Sequence, residues 1–323
     1  MQKHVLVTGG AGYVGSLLVE ELLRRGHRVR VLDALVHGTV PSVLTAWGDP
    51  SFEFIRGDVR DADARAVALK EVDSVVHLAA IVGDPACARE PELARAVNLE
   101  ATKLLVDDAT RAGVERFVFA STCSNYGKRD NGSLATEEDE LKPVSLYAET
   151  KVAAELDILS RNGAGPRVST CLRFATVYGT SPRMRFDLTV NEFTRDVALG
   201  RDLVVFGEQF WRPYVHVRDV ADAVAITLEA PPEAVAGEVF NVGGTHENYR
   251  KLDIVNLLND RFDSPVVKFV RKNEDPRDYR VSFEKVAASI GFELGHTVGN
   301  GIDEVASLVR MNIVDPDDPS YRN

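Results

Sequence analysis

The chain has little cysteine: Cys87, Cys123 and Cys171 are three in number and widely spaced over 323 residues. An odd, scattered set gives no disulfide framework and fits a reducing compartment. Neither these nor the seven histidines fall at the short spacings that ligate a metal, so no bound metal is expected. Long apolar runs are missing as well. The longest are strand-sized, too short to cross a bilayer. The opening residues show no charged region ahead of a signal-like apolar core; residues 1–7 already read as a strand, which points to the cytoplasm. Positive charge is scarce, with 38 Lys and Arg against 49 Asp and Glu and a net charge of −11. That balance argues against nucleic acid as a partner, while local arginines remain able to hold a phosphorylated small molecule. Internal repeats and low-complexity segments are absent.

What is present is concentrated at the start. Val5, Leu6 and Val7 suit a buried parallel strand, and Gly9, Gly10, Gly12 and Gly15 follow before Leu17, Leu18 and Leu22 begin a helical spacing. In a strand, glycine turn and helix of this kind, Gly9 permits the turn and Gly12 lets a dinucleotide pyrophosphate approach the backbone. Gly15 lets helix and strand pack closely, and the helix N-terminus favours the anion. A second apolar run (Val29, Val31, Leu32) ends in Asp33. Its carboxylate can accept from the ribose hydroxyls and would repel a 2′-phosphate, which favours NAD over NADP.

Further units alternate in the same way. Residues 52–55 read as a third strand running into Asp58 and Val59, placed to meet adenine, with Asp61 capping the next helix; residues 37–50 read as a surface excursion. Residues 73–78 form a fourth strand followed by Ala79, Ala80 and Ile81, small enough to pass beside a flat ligand, then a loop with Asp84. His77 reads as a packed strand-end residue. Residues 90–113 read as one long helix with Asn98 near its middle. Residues 115–120 are a fifth strand that empties into Ser121, Thr122, Cys123 and Ser124. Tyr147 and Lys151, four apart, share a helix face. The ammonium of Lys151 would lower the pKa of Tyr147 toward that of a general base, with the Thr122 hydroxyl in line. Residues 167–174 are a sixth strand.

These motifs together resemble the extended short-chain dehydrogenase/reductase family, in its nucleotide-sugar epimerase/dehydratase branch. The resemblance rests on residues 8–15, Asp33, Asp58-Val59, His77-Leu78-Ala79-Ala80, 121–127, 147–151 and 173–179. It implies an α/β fold: a Rossmann-type doubly wound parallel sheet with a smaller, interleaved C-terminal lobe for substrate. Residues 1–174 would bind NAD and 175–313 mainly substrate, with segments near 202–230 and 238–244 returning to the first domain; 314–323 would be a polar, fraying tail. Tyr147 is implied as acid/base, Lys151 as its activator and nicotinamide-ribose ligand, and Thr122 as hydroxyl partner. Cofactor contacts are expected from Gly9, Gly12, Tyr13, Val14, Gly15, Asp33, Asp58, Val59, Leu78, Ala79, Ala80, Asn98, Ser121, Tyr147, Lys151 and Phe174. Substrate contacts are expected from Asp84, Thr122, Tyr147, Thr176, Arg185, Asn191, Arg212 and Arg277, with Arg212 gripping a diphosphate. The choice between Arg271 and Arg277 for a second diphosphate contact stays open. His216 reads as structural, and Asp219 as the cap of a helix at 220–228.

Departures narrow the chemistry. Dehydratases of this branch carry Asp-Glu directly after the catalytic Thr, where this chain has Cys123 and Ser124. Cys123 reads as packed, and Thr176 stands where sugar-binding relatives commonly have Asn. The expected activity is an NAD-dependent epimerisation of a nucleoside-diphosphate sugar at C4. A dehydrogenase or 4-ketoreductase with the same triad and a non-catalytic cofactor sensor are the alternatives. A homodimer is expected through the helices at 90–113 and 146–161.

Overall fold

The structure is a computed structural model that describes residues 2–38, 40–129, 132–161, 164–263, 266–271 and 277–323. Five strands and their crossovers build the first half. They are β1 (His4–Thr8), α1 (Tyr13–Arg24), β2 (Arg28–Asp33), β3 (Phe52–Arg56), α2 (Ala62–Ala68), β4 (Ser74–His77), α3 (Asp84–Arg89), α4 (Pro91–Arg95), α5 (Ala101–Arg111) and β5 (Arg116–Thr122). A short strand β6 (Leu134–Ala135) precedes α6 (Leu146–Ser160), β7 (Val168–Phe174) and β8 (Thr176–Tyr178). The remainder comprises α7 (Thr189–Ala198), β9 (Leu203–Phe206), β10 (Trp211–His216), α8 (Val217–Glu229), α9 (Pro232–Val235) and β11 (Val239–Val242). After these come β12 (Asn248–Arg250), α10 (Lys251–Asn259), β13 (Val267–Val270), β14 (Arg280–Val281), α11 (Glu284–Ile290) and α12 (Val298–Arg310).

Every residue of β1 is buried, as the continuous apolar run demands of a strand covered on both faces. It lies central in a parallel seven-stranded sheet of order β11-β7-β5-β4-β1-β2-β3. One face is covered by α1 and α8, through Leu18, Leu22, Val220, Val224 and Leu228. The other is covered by α2, α5 and α6, through Ala68, Leu105, Ala109, Ala154 and Ile158. Strand order reverses between β1 and β4, and the crevice this opens at the carboxyl ends of the strands is where such sheets take ligands. A separate core of Phe193, Val197, Tyr214, Ile254, Leu258 and Ile302 holds the smaller lobe together. No helix among the described residues is long and apolar enough to cross a membrane.

Four expectations are corrected. The helix at 90–113 is interrupted by a π turn at Ala96–Glu100, where Asn98 turns inward. The helix at 220–228 begins earlier, at Val217, and its cap is the ring of His216, which accepts from the Arg218 amide at 3.2 Å. Asp219 instead accepts from the Gly295 and His296 amides at 3.2 and 3.1 Å, pinning the turn before α12. The polar tail is docked rather than frayed: the Phe186 amide donates to the Tyr321 carbonyl at 2.9 Å, and the rings of these residues meet edge to face. Burying one face of Tyr321 supplies the anchoring that its polar neighbours alone would not.

Candidate active site

At the strand ends lies a cavity of about 420 Å³, lined from Gly9 through Asp33, Val59 and Ala79 to Thr122, Tyr147, Lys151 and Phe174. Its first wall is the glycine turn. Gly9 has φ +74°, and an added Cβ would come within 2.8 Å of the Ala79 amide nitrogen. At Gly15 an added Cβ would sit 2.2 Å from the Gly9 carbonyl oxygen, so only a hydrogen lets α1 start this close to the turn. Gly12 caps α1 without a side chain, leaving the first-turn N–H groups directed at the cavity mouth.

Asp33 lines the end of the cavity where the adenosine is expected. One carboxylate oxygen accepts from the Leu35 amide at 2.8 Å and the other from the Ala11 amide at 3.0 Å. A carboxylate has about four acceptor sites, so the two bonds fix its orientation and leave capacity for ribose hydroxyls. Burial pushes its pKa up and the two amides pull it down. Asp58 and Val59 line the same end, with Asp58 paired to Arg60 at 2.7 Å; Asp61 caps α2, as its position before the helix implies. Tyr13, Val14, Leu78, Ala80 and Ser121 also line the cavity. These residues fit a dinucleotide: a cradle that a Cβ would fill, donor groups for phosphate, and an oriented acid for ribose.

Asn98 does not line the cavity. It is buried in the π turn, where its Oδ1 accepts from the Ile81 amide at 2.7 Å and its Nδ2 donates to the Ile81 carbonyl at 2.9 Å. The side chain serves as a backbone mimic that fixes the loop after Ala80. His77 is packed as expected, bonded to Thr8 and Thr102 at 2.7 and 2.8 Å; burial and the Lys151 charge push its pKa down to about 3, so it stays neutral.

Thr122, Tyr147 and Lys151, the groups expected to react, line the cavity where β5 ends against α6. The Thr122 hydroxyl accepts from the Ser124 amide at 3.1 Å, and Ser121 donates to Glu155 on α6 at 2.7 Å. Ser145 caps α6 and donates to Asp84 at 2.7 Å, which ties the turn that carries Tyr147 to the opposite loop. Lys151 is 3% exposed, with its ammonium donating to the Ala120 carbonyl at 2.8 Å and lying 4.7 Å from the Phe119 ring centre. Loss of water pushes its pKa down to about 8. Tyr147 departs from expectation. Burial pushes its pKa upward, with Arg185 among the groups opposing the rise and Cys87 and Asp84 adding to it. The Lys151 ammonium is directed at the Ala120 carbonyl.

Of the expected substrate residues, Asp84, Thr176, Arg185 and Arg277 line the cavity with Thr122 and Tyr147. Arg277 pairs with Asp84 at 3.1 Å, and Arg185 holds Asp187 with two bonds at 2.9 and 2.7 Å. Residues 272–276 of the basic stretch lie outside the described residues, and Arg271 is exposed, away from the cavity lining. Two expected substrate residues lie outside the cavity lining. Asn191 is fully buried, bridging the Gly179 amide at 2.9 Å and the Arg185 carbonyl at 2.9 Å, so it shapes the loop instead of meeting ligand. Arg212 lies outside the cavity lining, donating to the Trp211 and Arg277 carbonyls under the Tyr279 ring.

Sequence reasoning passes over several residues of the site. Ser42, inside the supposed excursion, is 3% exposed and donates to the Ala11 carbonyl at 2.8 Å, bracing the glycine turn. His37, Arg183 and Asn323 line the cavity. Local pattern holds no signal for them beyond the basic character of the 180–191 segment, because their partners lie far away in sequence.

With this geometry in place, residues 5–243 match the profile of the family described as the NAD dependent epimerase/dehydratase family. A dTDP-glucose 4,6-dehydratase of Actinoplanes sp. is 32% identical over 95% of this chain and 98% of its own length. A UDP-glucose 4-epimerase of Lactobacillus helveticus is 28% identical over 93% of this chain and 94% of its own. Among solved structures, the complex of Thermus thermophilus UDP-glucose 4-epimerase with NAD superposes with a TM-score of 0.82. It is 29% identical and covers 96% of this chain and 100% of that one.

Proposed function

Since the chain belongs to the NAD-dependent epimerase/dehydratase family, with NAD as its cofactor, we propose that it is a nucleotide-sugar epimerase that inverts C4 through a transient 4-keto sugar. The observation carrying this reading is the chemistry of the wall beside Thr122. Among the described residues, the cavity carboxylates are Asp33 and Asp58 at the adenosine end and Asp84, which is held by Ser145 and Arg277. Cys123 turns its thiol into the core toward the Arg173 carbonyl at 3.1 Å, and burial pushes its pKa well up. Ser124 is neutral. Water loss from a sugar needs an acid and a base besides the oxidising pair; this wall offers Tyr147 alone.

NAD, when bound against the glycine turn and Asp33, supplies a reversible acceptor for the C4 hydrogen. The protein's own work is proton transfer and positioning. Tyr147 takes the proton of the C4 hydroxyl and returns it after the ketone has turned over. The Lys151 ammonium, with a pKa of about 8, is still mostly protonated at pH 7 and is available to stabilise the phenolate. Thr122 donates to or accepts from the same oxygen and holds it in line, while Arg185 and Arg277 retain the diphosphate during the turn. Purified protein given UDP-glucose and dTDP-glucose separately in deuterated water is expected to return a C4-inverted sugar that keeps its original C4 hydrogen, without net reduced cofactor. A 4-keto-6-deoxy product, or reduced cofactor in proportion to substrate, overturns the reading.

Three free, buried cysteines accord with a cytoplasmic setting. Leu104 on α5 and Leu156 on α6 are 45% and 58% exposed, and they support a homodimer across these two helices. Light scattering is expected to give twice the chain mass; a single-chain mass refutes it.

A further inference from the structure

Arg183 is 4% exposed and lines the cavity, yet it pairs with no carboxylate among the described residues. Its Nη2 donates to two neutral acceptors, the Arg322 carbonyl at 3.0 Å and the Asn323 side-chain oxygen at 2.8 Å. Its Nε is buried without a hydrogen-bond partner among the described residues. Asp187, an acid whose charge reaches Arg183, is engaged by both arms of Arg185 and also accepts from the Asn323 amide at 3.3 Å. His37 completes the group; burial, and then both arginines, push its pKa down. Burial and the neighbouring Arg185 push Arg183 itself down to about 10. A buried guanidinium left with uncharged acceptors and a second cation beside it is costly, and an anion is the group that would relieve it.

The place of this charge is set by its neighbours. Ser181, two residues earlier, donates to the Tyr13 carbonyl at 2.7 Å and is 3.0 Å from the Ser16 hydroxyl; the Tyr13 hydroxyl donates to the Gly179 carbonyl at 2.6 Å. These bonds fasten the 179–183 segment to the first turn of α1, whose N–H groups already favour an anion. We propose that Arg183 is a phosphate-binding residue. It forms the second side of a cradle for the NAD pyrophosphate, with the α1 N-terminus as the first side. The 321–323 segment positions its guanidinium through the Arg322 carbonyl and the Asn323 side-chain oxygen. With Nη2 held by the 321–323 segment, the buried Nε–H is the donor left for a phosphate oxygen, a charge-assisted bond. This assignment concerns binding and is independent of the reaction proposed above.

The test measures dissociation constants for NAD, ADP-ribose, adenosine and UDP on the full chain freed of cofactor. In Arg183→Met, NAD and ADP-ribose are expected to bind at least about tenfold more weakly, while adenosine and UDP stay within about twofold of wild type. Asn323→Asp provides the variant that keeps the buried arginine and hands it an internal counter-ion. It is expected to melt higher than wild type without cofactor and to bind ADP-ribose more weakly, again with adenosine unchanged. ADP-ribose affinity within twofold of wild type in either folded variant overturns the proposal, and so does a loss confined to UDP, which would give the arginine to the substrate diphosphate.

Discussion

Lys151 is a buried cation whose hydrogen-bond partner is a peptide carbonyl, so the fold carries it at a cost that function must justify. Its pKa is about 8 in the folded chain against 10.5 as its ordinary value. Between those two pH values the unfolded chain holds a proton that the folded chain has released, so this residue's contribution to stability rises with pH across that window. Lys151→Met is therefore expected to stabilise the cofactor-free protein at pH 7 by roughly 1–3 kcal/mol, with the gain shrinking toward pH 10. Thermal unfolding across that range checks the sign, and the same variant should lose turnover. Tyr147 sits at the other end of the relation. Its phenol is pushed upward by burial, so its proton leaves only when a cation is close by. Tyr147→Phe removes the proton carrier and leaves the ring; turnover is expected to fall by about 10³-fold or more with nucleotide-sugar binding nearly unchanged, since acid–base assistance of this kind is worth about 10²–10⁴. Turnover within tenfold of wild type would exclude it as the base.

At the scale of elements, Glu304 on α12 ties three segments together. It accepts from the Thr180 hydroxyl, the Thr180 amide at 3.2 Å and the ring of His216 at 2.8 Å, joining the loop after β8 to the cap of α8. These bonds hold its carboxyl down at about 2 although burial alone would raise it. A depressed acid adds stability above its unfolded pKa near 4.5 and loses it as pH falls toward 2. Glu304→Gln is expected to destabilise by roughly 1–2 kcal/mol at pH 7, discounted for the carboxylate's partial exposure, and the difference should fade below pH 4. Denaturant titrations of both proteins at pH 7 and pH 3 measure it. Elements of this kind also mark the limit of what sequence discloses. The glycine turn, Asp33 and the Tyr147–Lys151 pair are local patterns, because turn geometry and helix spacing act over a few residues. Position alone assigns roles to Asn98, Asp219 and Asn191, and each of them has other partners. Ile81 lies 17 residues from Asn98 and His296 lies 77 from Asp219, so nothing in the neighbouring sequence records the contact. The docked tail is the same case: Arg183 and Asn323 are 140 residues apart.

For the whole molecule, the cavity gathers residues from nearly the full length of the described chain, Gly9 to Asn323. Occupancy by NAD therefore links the large sheet and the smaller lobe, and a ligand that binds only the folded state stabilises it by RT ln(1 + [L]/Kd). At NAD concentrations of about 100 times Kd the gain is expected to be about 2.7 kcal/mol, visible in calorimetry as one transition moved upward. A transition that splits in two as NAD is added would mean that the lobes unfold separately and that the cavity does not join them.

The pairing of β11 with β7 has a consequence for biogenesis. Val239 meets Cys171 in register, so the outermost strand of the sheet reaches its place only after residues 175–238 have been synthesised. At roughly 5–20 residues per second, the emerging polypeptide shows β7 as an uncovered edge for several seconds. Its exposed ladder of amide and carbonyl groups is open to strands of other nascent chains in that interval.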